Sequence, residues 1–368
     1  AGTVPWFRME DIRTNGHILF NALQYVNECA VKGELFPENS IIVATSATIG
    51  EHALITIPSL ANQRFTYLML KDKWKQKYDI KFLFYYCYKL DEWCLGHLNQ
   101  SSFASVDMGQ FYEFRFPVPP LEVQREIVRI LDKFTELTAE LTAELTARKK
   151  QYEYYRDEQF PSIKDKNVDW VALESVATVT KLAGFEFTKY VTYSETGNII
   201  ALRGLNVKNG HLVLDDVKYV DNSDLSMLIR SKLRIGDMLF TYVGTVGQVA
   251  LIDEDNKYYL APNVALVRIN GNDYLPKYMM YYFLTNKFED EQITKLLQAS
   301  SMKNIPMEKI RKFHLPMVSI EEQIKVISIL DQFDGLCNDI SNGLPAEVAA
   351  RQKQYEYYRD KLLTFEEA

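Results

Sequence analysis

The sequence predicts an α+β fold in which two mixed α/β globules are joined by two long helices. Three observations predict it. The segment Arg148–Asp157 recurs as Arg351–Asp360 with nine of ten positions identical, so the chain carries a pseudo-twofold internal repeat. Long stretches almost free of Pro and Gly lead into both copies, which favours helices, and short alternating apolar runs between them favour strands. At about 100–200 residues per domain, a chain of 368 residues suits two domains.

The first globule is predicted at residues 1–118. Its motifs have faint counterparts about 195 residues later, since Arg8 matches Arg203 and Thr48-Ile-Gly50 matches Thr245-Val-Gly247. Residues 161–196 have no counterpart before Ala1. We therefore expect the first globule to lack an opening segment.

A central helical region is predicted at residues 119–160, between Pro119-Pro120 and Pro161. Its inward positions alternate four and three residues apart, as in a coiled-coil seam. The seam comprises Ile127, Leu131, Phe134, Thr138, Leu141, Leu145, Arg148, Tyr152 and Tyr155. Inside it, Thr138-Ala-Glu-Leu141 is followed at once by Thr142-Ala-Glu-Leu145. This tandem is interpreted either as a length adjuster or as a relic of DNA slippage.

The second globule is predicted at residues 161–316, with strands at 199–202, 238–243, 249–253 and 265–269 and short helices at 277–284 and 288–297. The C-terminal helical region, residues 317–368, starts near Ile320 and is broken at Gly343-Leu-Pro345. The duplication and the seam predict that the helices near 121–159 and 320–361 run antiparallel as a coiled-coil frame.

Composition excludes several classes of protein. The chain is 47% hydrophobic and 25% charged, which is globular and unlike disorder or a disulfide scaffold. With 42 basic and 49 acidic residues, its net charge of −7 argues against a simple basic nucleic-acid sleeve. Four cysteines without a CxxC pair favour reduced thiols in a cytosolic protein. No apolar run reaches the ~18 residues that span a membrane, and no secretory signal is evident.

Catalytic motifs are missing from the sequence. It has no phosphate-binding loop, dinucleotide-binding turn, zinc-ligand spacing or nucleophile motif. Cys87, Cys94 and His97 form the one arrangement that suggests a metal cluster. Helical and aromatic neighbours favour a core position for them instead.

Polar side chains gather at the ends of the predicted strands. Arg suits guanine, Asn and Gln suit adenine, and Ser, Thr and Lys suit phosphate, so these residues are candidate DNA contacts, with turn residues as the alternative. The first globule contributes Arg8, Arg13, Asn15, Thr48, Gln63, Arg64, Ser101 and Ser102, and the second contributes Arg203, Asn206, Lys208, Asn209, Tyr242, Thr245, Gln248, Ser300, Ser301 and Lys303.

The chain resembles the specificity subunit of Type I DNA restriction-modification enzymes. The resemblance is carried by the two Pro…Gln…Ile-Leu-Asp-x-Phe helix starts, by the Thr-Ala-Glu-Leu tandem and by the paired Arg-x-Lys-Gln-Tyr-Glu-Tyr-Tyr-Arg-Asp segments. The tandem followed by Arg148-Lys-Lys-Gln-Tyr resembles the type IC branch. The resemblance is strong over residues 117–160 and 314–365 and weak in the globules.

That resemblance implies two target-recognition domains, each recognising one half of a bipartite double-stranded DNA site, with the helices setting the spacer. It implies two methyltransferase subunits that bind S-adenosylmethionine, and motor and nuclease subunits that use ATP and Mg. This chain would then hold no catalytic residue, metal or cofactor, and would act in the cytoplasm without a membrane partner.

The near-identical Tyr-Glu-Tyr-Tyr-Arg segments are candidate docking surfaces for the methyltransferase subunits, with helix–helix packing as the alternative. The residues concerned are Tyr152, Tyr155, Arg156, Tyr355, Tyr358 and Arg359. Two other functions stay open. One is a helical adaptor that joins two ligand-binding modules without DNA, and the other is an enzyme with an unrecognised site in a globule.

Overall fold

The structure is a computed structural model of the chain, and it describes residues 2–99, 104–298, 303–339 and 342–365. It forms two compact units. Unit 1 comprises Ala1–Thr142 and Glu347–Ala368, and unit 2 comprises Ala143–Ala346. Each unit combines one of the predicted globules with helical residues from both halves of the chain.

In the described part of unit 1, seven strands form two small sheets. Its elements are β1 (Val4–Phe7), α1 (Met9–Asn15), β2 (Ile18–Leu19), β3 (Tyr25–Val26), β4 (Ser40–Ala44), β5 (His52–Ile55), β6 (Leu60–Ala61), β7 (Phe65–Leu68), α2 (Ile80–Gly96), α3 (Met108–Phe111) and the first part of α4 (Leu121–Glu158). The sheet orders are β3-β1-β6 and β2-β5-β4-β7.

Unit 2 repeats this plan with additions. Its elements are β8 (Trp170–Ala172), α5 (Leu173–Val176), β9 (Ala177–Lys181), α6 (Gly184–Tyr190), β10 (Ile200–Leu202), β11 (Val207–Lys208), β12 (His211–Leu212), β13 (Lys218–Tyr219), β14 (Met238–Thr241), β15 (Val249–Leu251), β16 (Tyr258–Leu260), β17 (Val264–Ile269), α7 (Pro276–Phe283), α8 (Asn286–Phe288), α9 (Thr294–Gln298), α10 (Met307–Arg311), β18 (His314–Pro316) and α11 (Ile320–Asn338). The last helix, α12 (Leu344–Leu362), starts at the end of unit 2 and continues in unit 1.

The two globules share one topology, as the internal repeat predicts. In unit 1, β1 pairs with β3 antiparallel and with β6 parallel, and in unit 2 β10 pairs with β13 and β16 in the same senses. The antiparallel order β5-β4-β7 recurs as β15-β14-β17. Unit 2 adds β9 beside β17 and β8 beside β18, and both additions come from the segment that has no counterpart in the first repeat.

The glutamine that recurs at each helix start ties a globule to its long helix. Gln124 is fully buried, accepts a hydrogen bond from the Asp79 backbone N–H at 2.8 Å, and donates from its amide to the carbonyls of Lys77 and Pro119 at 2.8 and 2.7 Å. In unit 2, the fully buried Gln323 accepts from Leu275 N at 2.8 Å and donates to the carbonyls of Asp273 and Val318 at 2.8 and 3.1 Å. A buried amide side chain needs hydrogen-bond partners for both its oxygen and its NH2 group. Few side chains other than glutamine could therefore meet the same partners at these positions.

The long helices pack as the sequence predicts, with one interruption. Helix α4 spans 38 residues, about 57 Å at 1.5 Å per residue. In unit 1, the Phe134 ring stacks on Tyr358 with centroids 5.4 Å apart, and in unit 2 Phe333 stacks on Tyr155 at the same distance. Early α4 thus meets the late C-terminal helix and late α4 meets α11, which is the order of antiparallel partners. The second long helix is divided into α11 and α12 around Gly343 and Pro345.

Each unit has its own apolar core, in which the sheet packs on α2 or α7 and on a long helix. Phe82, Cys87 and Leu131 are fully buried in unit 1, and Phe240, Phe288 and Leu330 are in unit 2. No helix in the described part of the chain is long and apolar enough to cross a membrane.

Candidate nucleic-acid interface

Three loop segments meet at one end of the β4–β7 sheet in unit 1. The Thr45 N–H donates to Arg64 O at 3.1 Å, the Val106 N–H donates to Thr45 O at 2.9 Å, and the Ala47 N–H donates to Ala104 O at 3.3 Å. We call residues 45–48, 62–64 and 104–106 loop cluster 1.

The same three contacts recur in unit 2. The Tyr242 N–H donates to Asn263 O at 3.4 Å, the Ile305 N–H donates to Tyr242 O at 3.0 Å, and the Gly244 N–H donates to Lys303 O at 3.1 Å. We call residues 242–248, 262–263 and 303–305 loop cluster 2. The two clusters therefore share a backbone frame and differ in the side chains it presents.

The matched arginines Arg8 and Arg203 occupy equivalent places, each directly after the central strand of its smaller sheet. The backbone N–H of Arg8 donates to Asp11 Oδ2 at 2.8 Å, and that of Arg203 donates to Asn206 Oδ1 at 3.0 Å. Their side chains are 23% and 22% exposed, and both Nε atoms are buried without a hydrogen-bond partner. Each arginine side chain is thus mostly covered by neighbouring residues, while part of it remains accessible.

The two arginines differ in their partners. Arg203 Nη2 donates to the carbonyl and to Oδ1 of Asp216, both at 2.8 Å. Arg8 lies 5.7 Å from the Trp6 ring centroid, and its Nε is 3.9 Å from Glu10. The Arg8 side chain is consequently less constrained by neighbouring residues than that of Arg203.

The other candidates of unit 1 fall into two groups. Gln63 and Arg64 are exposed and Thr48 is half-buried, and all three lie in loop cluster 1. Arg13 and Asn15 lie at the end of α1, where Asn15 Nδ2 donates to Asn21 O at 3.1 Å instead of to loop cluster 1.

In unit 2, one side chain brings two loops together. Gln248 Oε1 accepts a hydrogen bond from the Asn209 backbone N–H at 3.0 Å, which fixes the β11–β12 turn against the β14–β15 loop. Asn209 adopts φ +47°, a conformation that Asn tolerates better than most residues. Lys208, Thr245 and Lys303, which belong to the same loops, are exposed.

A cavity of about 390 Å³ opens beside loop cluster 2. Arg203, Thr245 and Asn263 line it together with the rings of Phe187 and Tyr193. Asn263 is exposed at φ +68° and was missed by the sequence analysis, although it stands 199 residues after Arg64, an offset that the repeat already provided.

Two of the candidate DNA contacts, Asn206 and Tyr242, are buried. Asn206 is fully buried, and its amide donates to the carbonyls of Val213 and Asp216, both at 2.8 Å, so it holds the turn instead of facing a ligand. Tyr242 is 9% exposed and belongs to the apolar core through its side chain. Ser101, Ser102, Ser300 and Ser301 lie outside the described residues.

Some side chains of the repeated tyrosine segments are buried by packing, and others are partly exposed. Tyr152 and Tyr355 are 5% and 8% exposed, and their burial raises the pKa of both phenols, so these two are packing residues and not docking residues. Tyr155 and Tyr358 are partly covered by their phenylalanine partners. Arg156 lies over the Tyr152 ring at 5.3 Å, and Arg359 lies over Tyr88 at 4.4 Å.

The neighbouring tyrosines were not singled out by sequence. Tyr154 and Tyr357 are 62% and 61% exposed and stand 203 residues apart at equivalent positions. Tyr154 and Tyr357 are thus a matched pair of rings that is more exposed than Tyr155 and Tyr358, at 40% and 38%.

Cys87, Cys94 and His97, which suggested a metal cluster, lie in surroundings typical of a protein core. Cys87 and Cys94 are buried, and burial followed by the charge of Asp91 raises the pKa of both thiols. His97 stacks on Trp93 with ring centroids 3.8 Å apart. Among the residues that the structure describes, no group of three or more His, Cys, Asp or Glu side chains could hold a metal ion.

The chain is similar in sequence to a known protein family and to individual proteins. A family profile described as the type I restriction modification DNA specificity domain matches residues 1–148 and 166–350. The EcoprrI specificity subunit of Escherichia coli is 40% identical over 357 residues, which cover 92% of this chain and 82% of that protein. The EcoR124I/EcoR124II specificity subunit of Escherichia coli is 31% identical over 288 residues, or 72% of this chain and 68% of that one.

Solved structures show a similar fold. A chain from a type I restriction-modification system, studied for its assembly and conformational transition, matches with a TM-score of 0.64 at 15% identity and covers 92% of this chain and 85% of its own. The specificity subunit of a type I system from Mycoplasma genitalium matches with a TM-score of 0.53 at 13% identity, covering 100% and 90%.

Proposed function

The chain belongs to the type I restriction-modification DNA specificity family, and from that premise we propose that loop clusters 1 and 2 each recognise one half of a bipartite double-stranded DNA target. The chain is the DNA sequence-recognition subunit and is not itself an enzyme. The proposal distributes recognition over two separate loop clusters, one in each unit.

The observation that carries the proposal is the duplicated backbone frame of the two clusters. The same three inter-segment hydrogen bonds hold both, yet Gln63 and Arg64 of one are replaced by Pro262 and Asn263 of the other. A common frame supports a common way of approaching the duplex. Different side chains on it support different base preferences, because base edges are distinguished by the donors and acceptors presented to them.

The side chains suggest separate roles. Arg64 and Gln63 are exposed and unbranched, so they suit bidentate contacts to guanine and adenine in the first half-site. Lys208 and Lys303 suit backbone phosphates around the second. Arg8 and Arg203 recur at equivalent places, and we assign each of them to an equivalent contact within its own half-site.

The long helices would fix the distance between the half-sites and hold the partner subunits. We place two methyltransferase subunits on the two copies of the tyrosine segment, because two equal partners need two equal surfaces. Tyr154 and Tyr357, with the open edges of Tyr155 and Tyr358, are the exposed parts of these surfaces. S-adenosylmethionine would bind to those subunits, and ATP and Mg to motor and nuclease subunits. The complex would work in the cytoplasm, where its DNA lies.

The decisive experiment is methylome sequencing of cells that carry this chain together with its methyltransferase subunit. We expect methylated adenines in a motif of two defined halves separated by a spacer of fixed length and free sequence. An uninterrupted motif would contradict the division between two clusters. Failure of the chain to bind a mixed DNA pool at low salt, alone or with its partners, would favour the adaptor function instead.

A further inference from the structure

Two of the side chains that line the cavity of about 390 Å³ beside loop cluster 2 are aliphatic and open to solvent. Leu205 is 51% exposed and Val243 is 37% exposed. Phe187 and Tyr193, whose ring centroids are 5.1 Å apart, form the aromatic part of the same lining. Apolar surface therefore lies directly beside the polar candidates for DNA contact.

The position of Leu205 is occupied by a carboxylate in unit 1. Leu205 is the middle residue of the short turn Gly204–Asn206, and it stands two residues after the matched arginine of its unit. Glu10 stands two residues after the matched arginine of unit 1, and its side chain is 60% exposed. A carboxylate can accept a hydrogen bond from the amino group of cytosine, but it offers no apolar contact to a base.

The position of Val243 is also polar in unit 1. Val243 forms an isolated antiparallel bridge with Asn304, and Ser46 forms the equivalent bridge with Ser105. At these two matched positions, the aliphatic side chains are thus a property of unit 2, and unit 1 has Glu and Ser instead. A difference between two otherwise equivalent loop clusters is expected where the two half-sites differ in sequence.

Thymine presents the groups that match this lining. In the major groove it carries an apolar C5-methyl group next to O4, which accepts hydrogen bonds, and no other base carries a methyl group there. Leu205 and Val243 can contact the methyl group. The exposed side chains of Thr245 and Asn263, which line the same cavity, carry donors that suit O4.

We propose that Leu205 and Val243 select a thymine in the second half-site by contacting its C5-methyl group in the major groove. This inference rests on the proposed function, because it takes loop cluster 2 to face the second half-site. It adds the identity of one base and the two side chains that recognise it.

The test compares thymine with uracil, which lacks only that methyl group. The chain, assembled with its methyltransferase subunits, is titrated with duplexes that carry the motif found by methylome sequencing and one uracil at a time. At one position of the second half, uracil should weaken binding about three- to fivefold, as expected for the loss of one buried methyl group. Leu205→Ala combined with Val243→Ala should abolish this difference between thymine and uracil. Both side chains are exposed, so the double variant should still fold.

Ile235→Ala is the matched control, because Ile235 is 61% exposed and precedes β14, whereas loop cluster 2 follows that strand. It should keep the full uracil effect. The double variant should leave every uracil response of the first half unchanged, since Leu205 and Val243 belong to unit 2.

Two outcomes would overturn the inference while leaving the proposed function intact. One is a bipartite motif in which no uracil of the second half weakens binding, and the other is a uracil effect that survives in the double variant. A motif without two halves would instead overturn the proposed function, and this inference with it.

Discussion

The Tyr85 hydroxyl donates a hydrogen bond to Asp132 Oδ1 across 2.7 Å, and Lys81 Nζ lies 2.7 Å from the other oxygen of that carboxylate. Unit 2 repeats the arrangement, with Asp331 accepting from Tyr281 and from Lys277 at 2.5 and 2.8 Å. The two aspartates are those of the repeated Ile-Leu-Asp-x-Phe motif. The repeated motif thus fixes α2 in unit 1 and α7 in unit 2 against the long helix of the same unit.

Replacing Asp132 by Ala should destabilise unit 1 by about 1–2 kcal/mol, mainly through loss of the Tyr85 hydrogen bond. The ion pair with Lys81 should add little, because both side chains are more than a third exposed. Chemical denaturation of Asp132→Ala, Tyr85→Phe and the double variant measures the coupling energy, expected to be about 1 kcal/mol. Additive effects of the two single changes would show that the contact contributes nothing.

The fold class could be predicted from the sequence because prolines mark helix ends and alternating apolar runs mark strands locally. The internal repeat is likewise visible in the sequence itself. Pro119-Pro120 and Pro161 bracket α4, and the runs at 238–243 and 265–269 coincide with β14 and β17. The antiparallel order of the helices was predicted by the duplication and the seam, whereas the individual ring pair of Phe134 and Tyr358 depends on tertiary packing.

The candidate site was less predictable than the fold. Asn206 and Asn209 have the same side-chain chemistry and lie three residues apart, yet one is fully buried and the other exposed. Polar composition at a strand end cannot separate a residue that satisfies the turn's own backbone from one that faces a ligand. Only the positions of Val213 and Asp216 around Asn206 decide its role.

Residues of each loop cluster, and Arg203 beside loop cluster 2, should affect one half-site alone. Arg64→Ala or Gln63→Ala should relax the first half of the recognised sequence and cost about 1–3 kcal/mol of discrimination at one base pair. Arg203→Ala or Gln248→Ala should relax only the second half, and the Gln248 change also releases the Asn209 turn. Methylome sequencing of the variants checks this. Relaxation of both halves by a change in one cluster would contradict the assignment.

The exposed tyrosines should control assembly without affecting the fold. Tyr154→Ser together with Tyr357→Ser should leave the melting temperature nearly unchanged and weaken binding of methyltransferase subunits, because an exposed ring contributes little to folding and much to an interface. Each single variant should lose one of two bound subunits by analytical ultracentrifugation. Tyr152→Ser is the contrasting control and should unfold locally, since that ring is buried. Unchanged stoichiometry in the double variant would exclude this surface.

His211 and Asp334 of unit 2 predict a pH dependence of stability. The hydrogen bond to Asp334 raises the pKa of His211, and although burial opposes it, hydrogen bonds from His211 and Asn338 lower the pKa of Asp334. The raised histidine pKa stabilises the fold below about pH 6.5, and this contribution is lost as the pH rises through the folded value. The lowered carboxyl pKa adds stability that is lost as the pH falls below about 4.

The imidazole–carboxylate contact is 3.4 Å long and the His211 side chain is 49% exposed, so its contribution should be below about 1 kcal/mol. We expect the wild-type chain to lose that amount between about pH 5.5 and 8.5, and His211→Gln to lose less, as measured by urea unfolding at both pH values. A pH dependence that is identical in the two proteins would assign it to other groups.

Thr138-Ala-Glu-Leu141 and Thr142-Ala-Glu-Leu145 lie wholly within α4, and the boundary between units 1 and 2 falls after Thr142. Thr138 and Thr142 donate their hydroxyls to the carbonyls four residues earlier, at 2.9 and 2.7 Å, so the tandem is regular helix. A length change at this place therefore alters the helix between the two globules without altering either one.

A third Thr-Ala-Glu-Leu unit inserted after Leu145 should keep both half-sites and lengthen the spacer between them. Four helical residues add about 6 Å and about 40° beyond a full turn. One base pair of B-DNA supplies about 35° and about 3.4 Å, and modest bending absorbs the remainder. A two-residue insertion is the control, since its rotation of about 200° turns the seam away from its partner and should abolish methylation. Methylome sequencing distinguishes these outcomes, and an unchanged spacer with full activity would identify the tandem as a relic of slippage.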